Sequence, residues 1–140
     1  MSIWHKEVSL ASLNERSKNT LADVLDIKFI EIGDDFLKAT MPVNERTRQP
    51  IGILHGGANV TLAETIASTA ANMIINIDTH YCVGLEINTN HIRSVRTGLV
   101  TGITKPVHLG RSTQIWHFDI FNEDNKITAT GRMTASILTR

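Results

Sequence analysis

Glu64 is the residue with which chemistry could begin. It lies in a helical pattern with two apolar stripes, Val60, Ala63, Ala67, Ala70 and Ile74 on one, Leu62, Ile66, Met73 and Ile77 on the other. A helix of that kind is wrapped by other structure. It keeps a narrow polar strip of Thr61, Glu64, Thr65, Ser68 and Asn72. A carboxylate on such a helix is costly unless partnered, so it is either bonded to neighbouring hydroxyls or kept for a reaction. Upstream, His55-Gly56-Gly57 opens the same helix. A helix N-terminus presents unpaired N–H groups and the positive end of the dipole. These parts suit acyl transfer: the N–H groups polarise a carbonyl oxygen and hold the charge that develops on it. The carboxylate attacks the carbon or activates a water. Ser68, one turn beyond Glu64, could position that water or the carboxylate. Gln49, held extended before Pro50, could add another donor.

Spacing sets a condition. Gly56 and Glu64 are about 12 Å apart along a helix axis at 1.5 Å per residue, yet both must reach one carbonyl within about 3 Å. One helix does not do this easily. Two copies across a two-fold axis do, with Gly56 of one facing Glu64 of the other, so the catalytic reading predicts a symmetric dimer with two shared sites.

The elements that position these residues follow from periodicity. Ser9 to Lys18 has a weak helical pattern with a capping-box match at Ser12-Leu-Asn-Glu15, and Thr20 to Leu25 adds a short turn. Ile27 to Ile32 and Phe36 to Val43 read as a hairpin around Gly33-Asp34-Asp35. The central helix runs from about Gly57 to about Asn76. From Val83 onward the chain reads as strands, with Leu85, Ile87, Thr89, His91 and Arg93 sharing one face. Leu99 to Lys105 is the next strand, Pro106 to Gly110 a break or a bulge, and Ser112 to Phe121 and Ile127 to Ile137 the last two. Helix, two strands, long helix, four strands is an α+β order. Its simplest architecture is an antiparallel sheet wrapped around the long central helix, as one domain over residues 1–140.

Composition excludes several classes. The chain has 140 residues, with 14 basic and 14 acidic side chains that cancel, so nothing argues electrostatically for nucleic acid or a membrane surface. One cysteine, Cys82, permits no internal disulfide. No apolar run approaches the roughly 20 residues of a membrane span, and the N-terminus does not read as a signal peptide. The expected location is the cytoplasm. The six histidines show no metal-ligand spacing, so no metal is expected, and the absence of Gly-x-Ser-x-Gly disfavours a serine hydrolase. Read singly, His55 would be a helix cap, Ser68 a small packing residue and Gln49 an ordinary loop residue. His91, Arg93, Lys105, His108 and Arg111 read singly as solvated surface.

In order, Ile32-Gly-Asp-Asp35, Ala39-Thr-Met-Pro-Val43, Gln49-Pro50, Leu54-His-Gly-Gly57, Leu62-Ala-Glu64, Val83-Gly-Leu-Glu-Ile-Asn88, Asn90-His91 and His108-Leu-Gly110 form a pattern. It resembles the hotdog-fold acyl-CoA thioesterases of the phenylacetate-degradation type. Within them it resembles the branch holding the 1,4-dihydroxy-2-naphthoyl-CoA thioesterase of menaquinone biosynthesis and the proofreading thioesterase of enterobactin synthesis. The resemblance covers nearly the whole chain. It implies a hotdog fold, a homodimer paired into a tetramer, and sites between subunits. It implies Glu64 as nucleophile or general base, Gly56 as oxyanion donor, His55 and Gln49 near the carbonyl, and Ser68 assisting. It places the CoA moiety near Gly84, at His91, Ile92, Arg93 and Ser94, and at His108, Leu109, Gly110, Arg111, Ser112 and Thr113.

The expected reaction is hydrolysis of an acyl-CoA, aryl rather than long alkyl, with no cofactor because the thioester is already activated. A thioesterase acting on groups held by an acyl or aryl carrier protein would use the same residues. A hotdog hydratase would need a paired Asp and His that the chain does not show. A non-catalytic acyl-CoA-binding module, or a purely structural oligomer, would leave Glu64 on a buried helix without a reason.

Overall fold

The computed structural model describes residues 1–140. Short helices α1 (Leu10–Arg16) and α2 (Leu21–Val24) precede the hairpin β1 (Lys28–Ile32) and β2 (Leu37–Pro42). The long helix α3 (Gly56–Ile74) follows, and then β3 (His80–His91), β4 (Leu99–Leu109), β5 (Thr113–Phe121) and β6 (Ile127–Thr139). The six strands form one antiparallel sheet in the order β1-β2-β4-β5-β6-β3. The sheet curls around α3, which makes this an α+β hotdog fold. No helix is long and apolar enough to cross a membrane.

The two stripes of α3 do what their spacing implies. Leu62, Ala63, Ile66, Ala67, Ala70 and Ala71 are completely buried, while Thr61, Glu64, Thr65, Ser68 and Asn72 are half-buried. Small residues let the helix come close to the sheet. On β4, a Cβ at Gly102 would meet Ile66 Cδ1 at 2.6 Å, so glycine is what the approach requires. The inner face of β5 alternates as its sequence does, with Gln114, Trp116, Phe118 and Ile120 buried. Buried Gln114 is satisfied: it accepts from Trp116 Nε1–H at 2.8 Å and donates to the Ala71 carbonyl at 3.4 Å. The second bond occupies a carbonyl near the C-terminal end of α3, where the helix has no partner of its own.

Two local expectations are corrected, and one left open between two alternatives is resolved. Helix α1 is capped by Ser9, whose extended backbone lets its Oγ accept from the Ser12 N–H at 3.1 Å, so Ser12 lies inside the first turn and heads no capping box. Of the break or bulge expected at Pro106 to Gly110 the structure has the bulge: β4 runs through Pro106 as one strand, with the irregularity between Pro106 and His108 taking up the missing donor. A bulge between Gly84 and Glu86 shifts the facing of β3. Cys82 points inward above it, Ile87 packs on the core below it, and Leu85 falls in the bulge and is exposed.

Strand β3 is a sheet edge, bonded to β6 on one side only. Helix α3 runs antiparallel along it and touches it at three places. Asn72 donates to the Cys82 carbonyl at 3.2 Å and accepts the Cys82 N–H at 2.9 Å. Glu64 lies against Gly84, and Gly56 against His91. The edge groups of Cys82 are therefore occupied from within the chain.

Candidate active site

The loop before α3 is built to expose one donor. Thr47, 1% exposed, gathers it: its hydroxyl donates to the Pro42 carbonyl at 2.8 Å, and its carbonyl accepts the His55 N–H at 2.7 Å. His55 is the N-cap, with its Nδ1 accepting the Gly57 N–H at 2.8 Å. That bond requires an unprotonated Nδ1, which leaves the ring proton on Nε2. The Ala58 and Asn59 N–H groups bond the His55 carbonyl. Of the first-turn donors only the Gly56 N–H is left without a partner in the chain. The His91 ring stands beside it, 3.0 Å from where a Cβ on Gly56 would be. Gln49 sits in the turn that leads here. Its Oε1 accepts the Ile51 N–H at 2.5 Å, and its amide donor end has no partner.

The polar strip of α3 divides into engaged and free groups. Thr61 and Thr69 hydroxyls bond their own helix at the Gly57 and Thr65 carbonyls, and Asn72 is spent on Ser68 and Cys82. Glu64 makes no hydrogen bond or ion pair, the Thr65 hydroxyl makes none, and Ser68 Oγ has only the Met133 sulfur at 3.5 Å. Sulfur is a weak acceptor. The alternative reading of Glu64, as a carboxylate bonded to neighbouring hydroxyls, therefore finds no such bond. A carboxylate free of partners faces the bare backbone of Gly84, where a Cβ would be 2.5 Å from its Oε1.

Within one chain the residues form two groups rather than one. Glu64, Ser68 and Gly84 lie at one end of the β3 edge; Gly56, His55, Gln49 and His91 lie at the other. The CoA-binding expectation divides in the same way. His91, Ile92, Arg93 and Ser94 are exposed at the end of β3, beside the start of β6, where Arg93 Nη1 donates to the Ile127 carbonyl at 2.6 Å. His108 and Leu109 end β4, and Gly110, Arg111, Ser112 and Thr113 turn into β5. That turn belongs to the Gly84 end, because Gly84 and Gln114 both pair with Ala135, whereas His91 pairs with Ala129. Seven residues of strand separate Gly84 from His91, roughly 23 Å at 3.3 Å per residue. No cluster of three His, Cys, Asp or Glu side chains is placed to hold a metal ion.

Sequence reasoning put Gly84 among CoA contacts and missed its closeness to Glu64. It also missed Asn72 as the tie between α3 and the β3 edge, and Thr47 as the anchor of the His55 loop. Each is a long-range contact with no signal in the local pattern.

A family model described as the thioesterase superfamily matches residues 51–129. The chain is 47% identical over 136 residues to a protein of Escherichia coli named 1,4-dihydroxy-2-naphthoyl-CoA hydrolase, covering 97% of this chain and 99% of that one. It is 42% identical over 136 residues to a proofreading thioesterase of Cronobacter turicensis, covering 97% and 98%. A crystal structure of a mutant thioesterase from Pseudomonas aeruginosa is similar over 99% of this chain and 100% of that one, with a TM-score of 0.98 and 40% identity.

Proposed function

The chain belongs to the thioesterase superfamily, and from that premise we propose that it hydrolyses an aryl-CoA thioester to CoA and the free aromatic acid in a site shared by two copies. The observation that carries this is the separation of an unpartnered carboxylate, Glu64, from an unpartnered donor, the Gly56 N–H, at the two ends of one free sheet edge. A long exposed edge strand is a liability unless something covers it, and β3 also exposes Val83 and Leu85.

Antiparallel pairing of β3 with the same strand of a second copy, centred between Ile87 and Asn88, would set Gly84 against the partner's His91. Glu64 would then face the partner's Gly56, and the His91–Ser94 segment would come to the same end as the partner's 108–113 turn. Asn72, which occupies the edge groups of Cys82, leaves the stretch from Gly84 to His91 free for that pairing. Association of two such dimers is the higher assembly expected from the family resemblance.

In this mechanism the thioester oxygen accepts from the Gly56 N–H at the positive end of α3, and the amide of Gln49 supplies a further donor. Glu64 attacks the carbonyl carbon, or takes a proton from the water that does. The C–S bond breaks and the sulfur leaves with a proton as the CoA thiol; where Glu64 itself attacks, water then splits the acyl–Glu64 anhydride, and where Glu64 activates water, the water oxygen is already in the carboxylic acid, so both routes release the acid and restore Glu64. Ser68 is free to hold the water. The thioester carries its own activation, so no cofactor enters. The relative named 1,4-dihydroxy-2-naphthoyl-CoA hydrolase supports a bicyclic aryl group. The relative named a proofreading thioesterase supports the second reading, an aryl group on a carrier protein.

The test is thiol release from dihydroxynaphthoyl, benzoyl, hydroxyphenylacetyl, short-alkyl and long-alkyl thioesters of CoA, and from an aryl-loaded carrier protein. Aryl-CoA turnover that falls roughly 10²-fold or more in Glu64→Ala is expected. Equal activity in wild type and Glu64→Ala would overturn the assignment.

A further inference from the structure

The ion pairs of the chain are made by lysines, one histidine and the N-terminus; no arginine takes part in one. Arginine is the cation whose planar fork suits oxyanions, and here its charge is left unneutralised. Two arginines, Arg48 and Arg96, meet beside the loop that carries Gln49 toward α3. Arg48 donates from Nε and Nη2 to the Arg96 carbonyl, at 3.3 and 3.2 Å. Leu54 ties the same two stretches together: it bridges to Arg48, and its N–H donates to the Val95 carbonyl at 2.7 Å. Arg96 reaches back over the turn, with its Nη1 3.8 Å from where a Cβ on Gly52 would be.

Both side chains are exposed. The Arg96 guanidinium makes no hydrogen bond within the chain, while that of Arg48 is fixed on the Arg96 carbonyl. The two charges are therefore no further apart than one arginine side chain and one hydrogen bond. Like charges held that close repel, and an anion between them relieves the repulsion. The pair also belongs to the Gly56 end of the site. Gly52 is four residues before Gly56, and four residues of chain span at most about 14 Å.

Resting on the reading that a CoA thioester is cleaved with its oxygen at the Gly56 N–H, we propose that Arg48 and Arg96 seat the 3′-phosphate of the CoA nucleotide, and so make CoA rather than a carrier protein the preferred thiol. A phosphate monoester is a terminal dianion with three acceptor oxygens, and two guanidinium groups on one rim offer it paired N–H···O bonds. The pantetheine arm spans the distance from thioester to nucleotide. A carrier protein presents the same arm but ends it in protein. An acidic docking face on such a protein would also meet Glu45, three residues before Arg48, and Glu123, whose Oε1 accepts the Leu99 N–H at 2.8 Å. One phosphate need meet only the two guanidinium groups.

The experiment compares kcat/KM for benzoyl-CoA, benzoyl-3′-dephospho-CoA and a benzoyl-loaded carrier protein. Wild type should favour benzoyl-CoA over its dephospho form by roughly five- to tenfold, through KM, the worth of charged hydrogen bonds discounted for exposure. The ratio should shrink in about 0.5 M salt, fall toward unity in Arg96→Gln, and return in part in Arg96→Lys. Equal rates for the two CoA forms in wild type, a preference that survives Arg96→Gln, or an Arg96→Gln defect confined to the carrier-protein substrate overturns the proposal and leaves hydrolysis at Glu64 standing. Calorimetric binding of free CoA and free 3′-dephospho-CoA is read beside the rates, because it needs no turnover. If no thioester is cleaved while CoA still binds more tightly than its dephospho form in an Arg96-dependent way, the hydrolytic reading falls and the phosphate seat stands.

Discussion

The Glu64 carboxylate passes over the bare backbone of Gly84, close enough that a Cβ on Gly84 would stand 2.5 Å from Glu64 Oε1. Gly84 is exposed on an edge strand and has no positive φ, so its backbone would accept a side chain. What excludes one is the carboxylate. Glycine weakens a strand relative to other residues, so its presence here calls for a functional reason.

Gly84→Ala should therefore separate activity from stability. The variant should keep or slightly raise its melting temperature, because the strand gains a side chain and loses no contact. Its kcat/KM should fall by at least about tenfold, because Glu64 is pushed from its position. Thermal melting and thiol release on the same preparation read both. A variant with wild-type kcat/KM would show that the Gly84 position does not guide the carboxylate.

His55 has two separable duties. As N-cap it satisfies the Gly57 N–H, so His55→Ala should cost about 1 kcal/mol in urea unfolding. His55→Asn, with a side chain that caps well, should recover most of that. If the ring also serves the carbonyl, His55→Asn will be stable and slow. Full activity in His55→Asn would leave His55 as a cap alone.

How much of this was legible in the chain depended on how local each feature is. The two stripes of α3, the glycines at its start and the place of Glu64 on its polar strip follow from 3.6-residue periodicity within one segment. The alternation of Trp116, Phe118 and Ile120 is equally local. Capping was less certain because Ser9 and Ser12 both present a hydroxyl near the start of α1, and only the backbone angles choose between them. The bulges at Gly84 and Pro106 are properties of a strand and its neighbour, so alternation alone carried β3 past the point where its facing shifts. The division of the CoA segments between two ends of one chain has a longer-range cause. β3 pairs with β6, the last strand of the chain. That long-range pairing puts His91 and the 108–113 turn at opposite ends of the sheet.

Cys82 offers a pH test of the packing between α3 and β3. Burial pushes its thiol up to about 11, from an ordinary value of 9.0. Its Sγ also faces the Ala71 carbonyl at 3.5 Å. A thiol raised in the folded state contributes stability that is whole below pH 9.0 and is lost as pH rises from there toward about 11, because the unfolded chain releases the proton first. Urea midpoints should therefore fall across that window and fall less in Cys82→Ala. Alkylation at neutral pH should be slow until the protein is unfolded.

The most direct test of the shared site is to mix two inactive chains. Gly56→Val blocks the free donor, since His91 leaves no room beside it, and Glu64→Ala removes the carboxylate. Each variant alone should be nearly inactive. After random reassortment of the two, about half the dimers are mixed, and each mixed dimer holds one site with both Gly56 and Glu64 intact. Recovery of about one quarter of wild-type kcat is expected. Activity no greater than the sum of the separate variants would contradict a site built from Gly56 of one copy and Glu64 of the other.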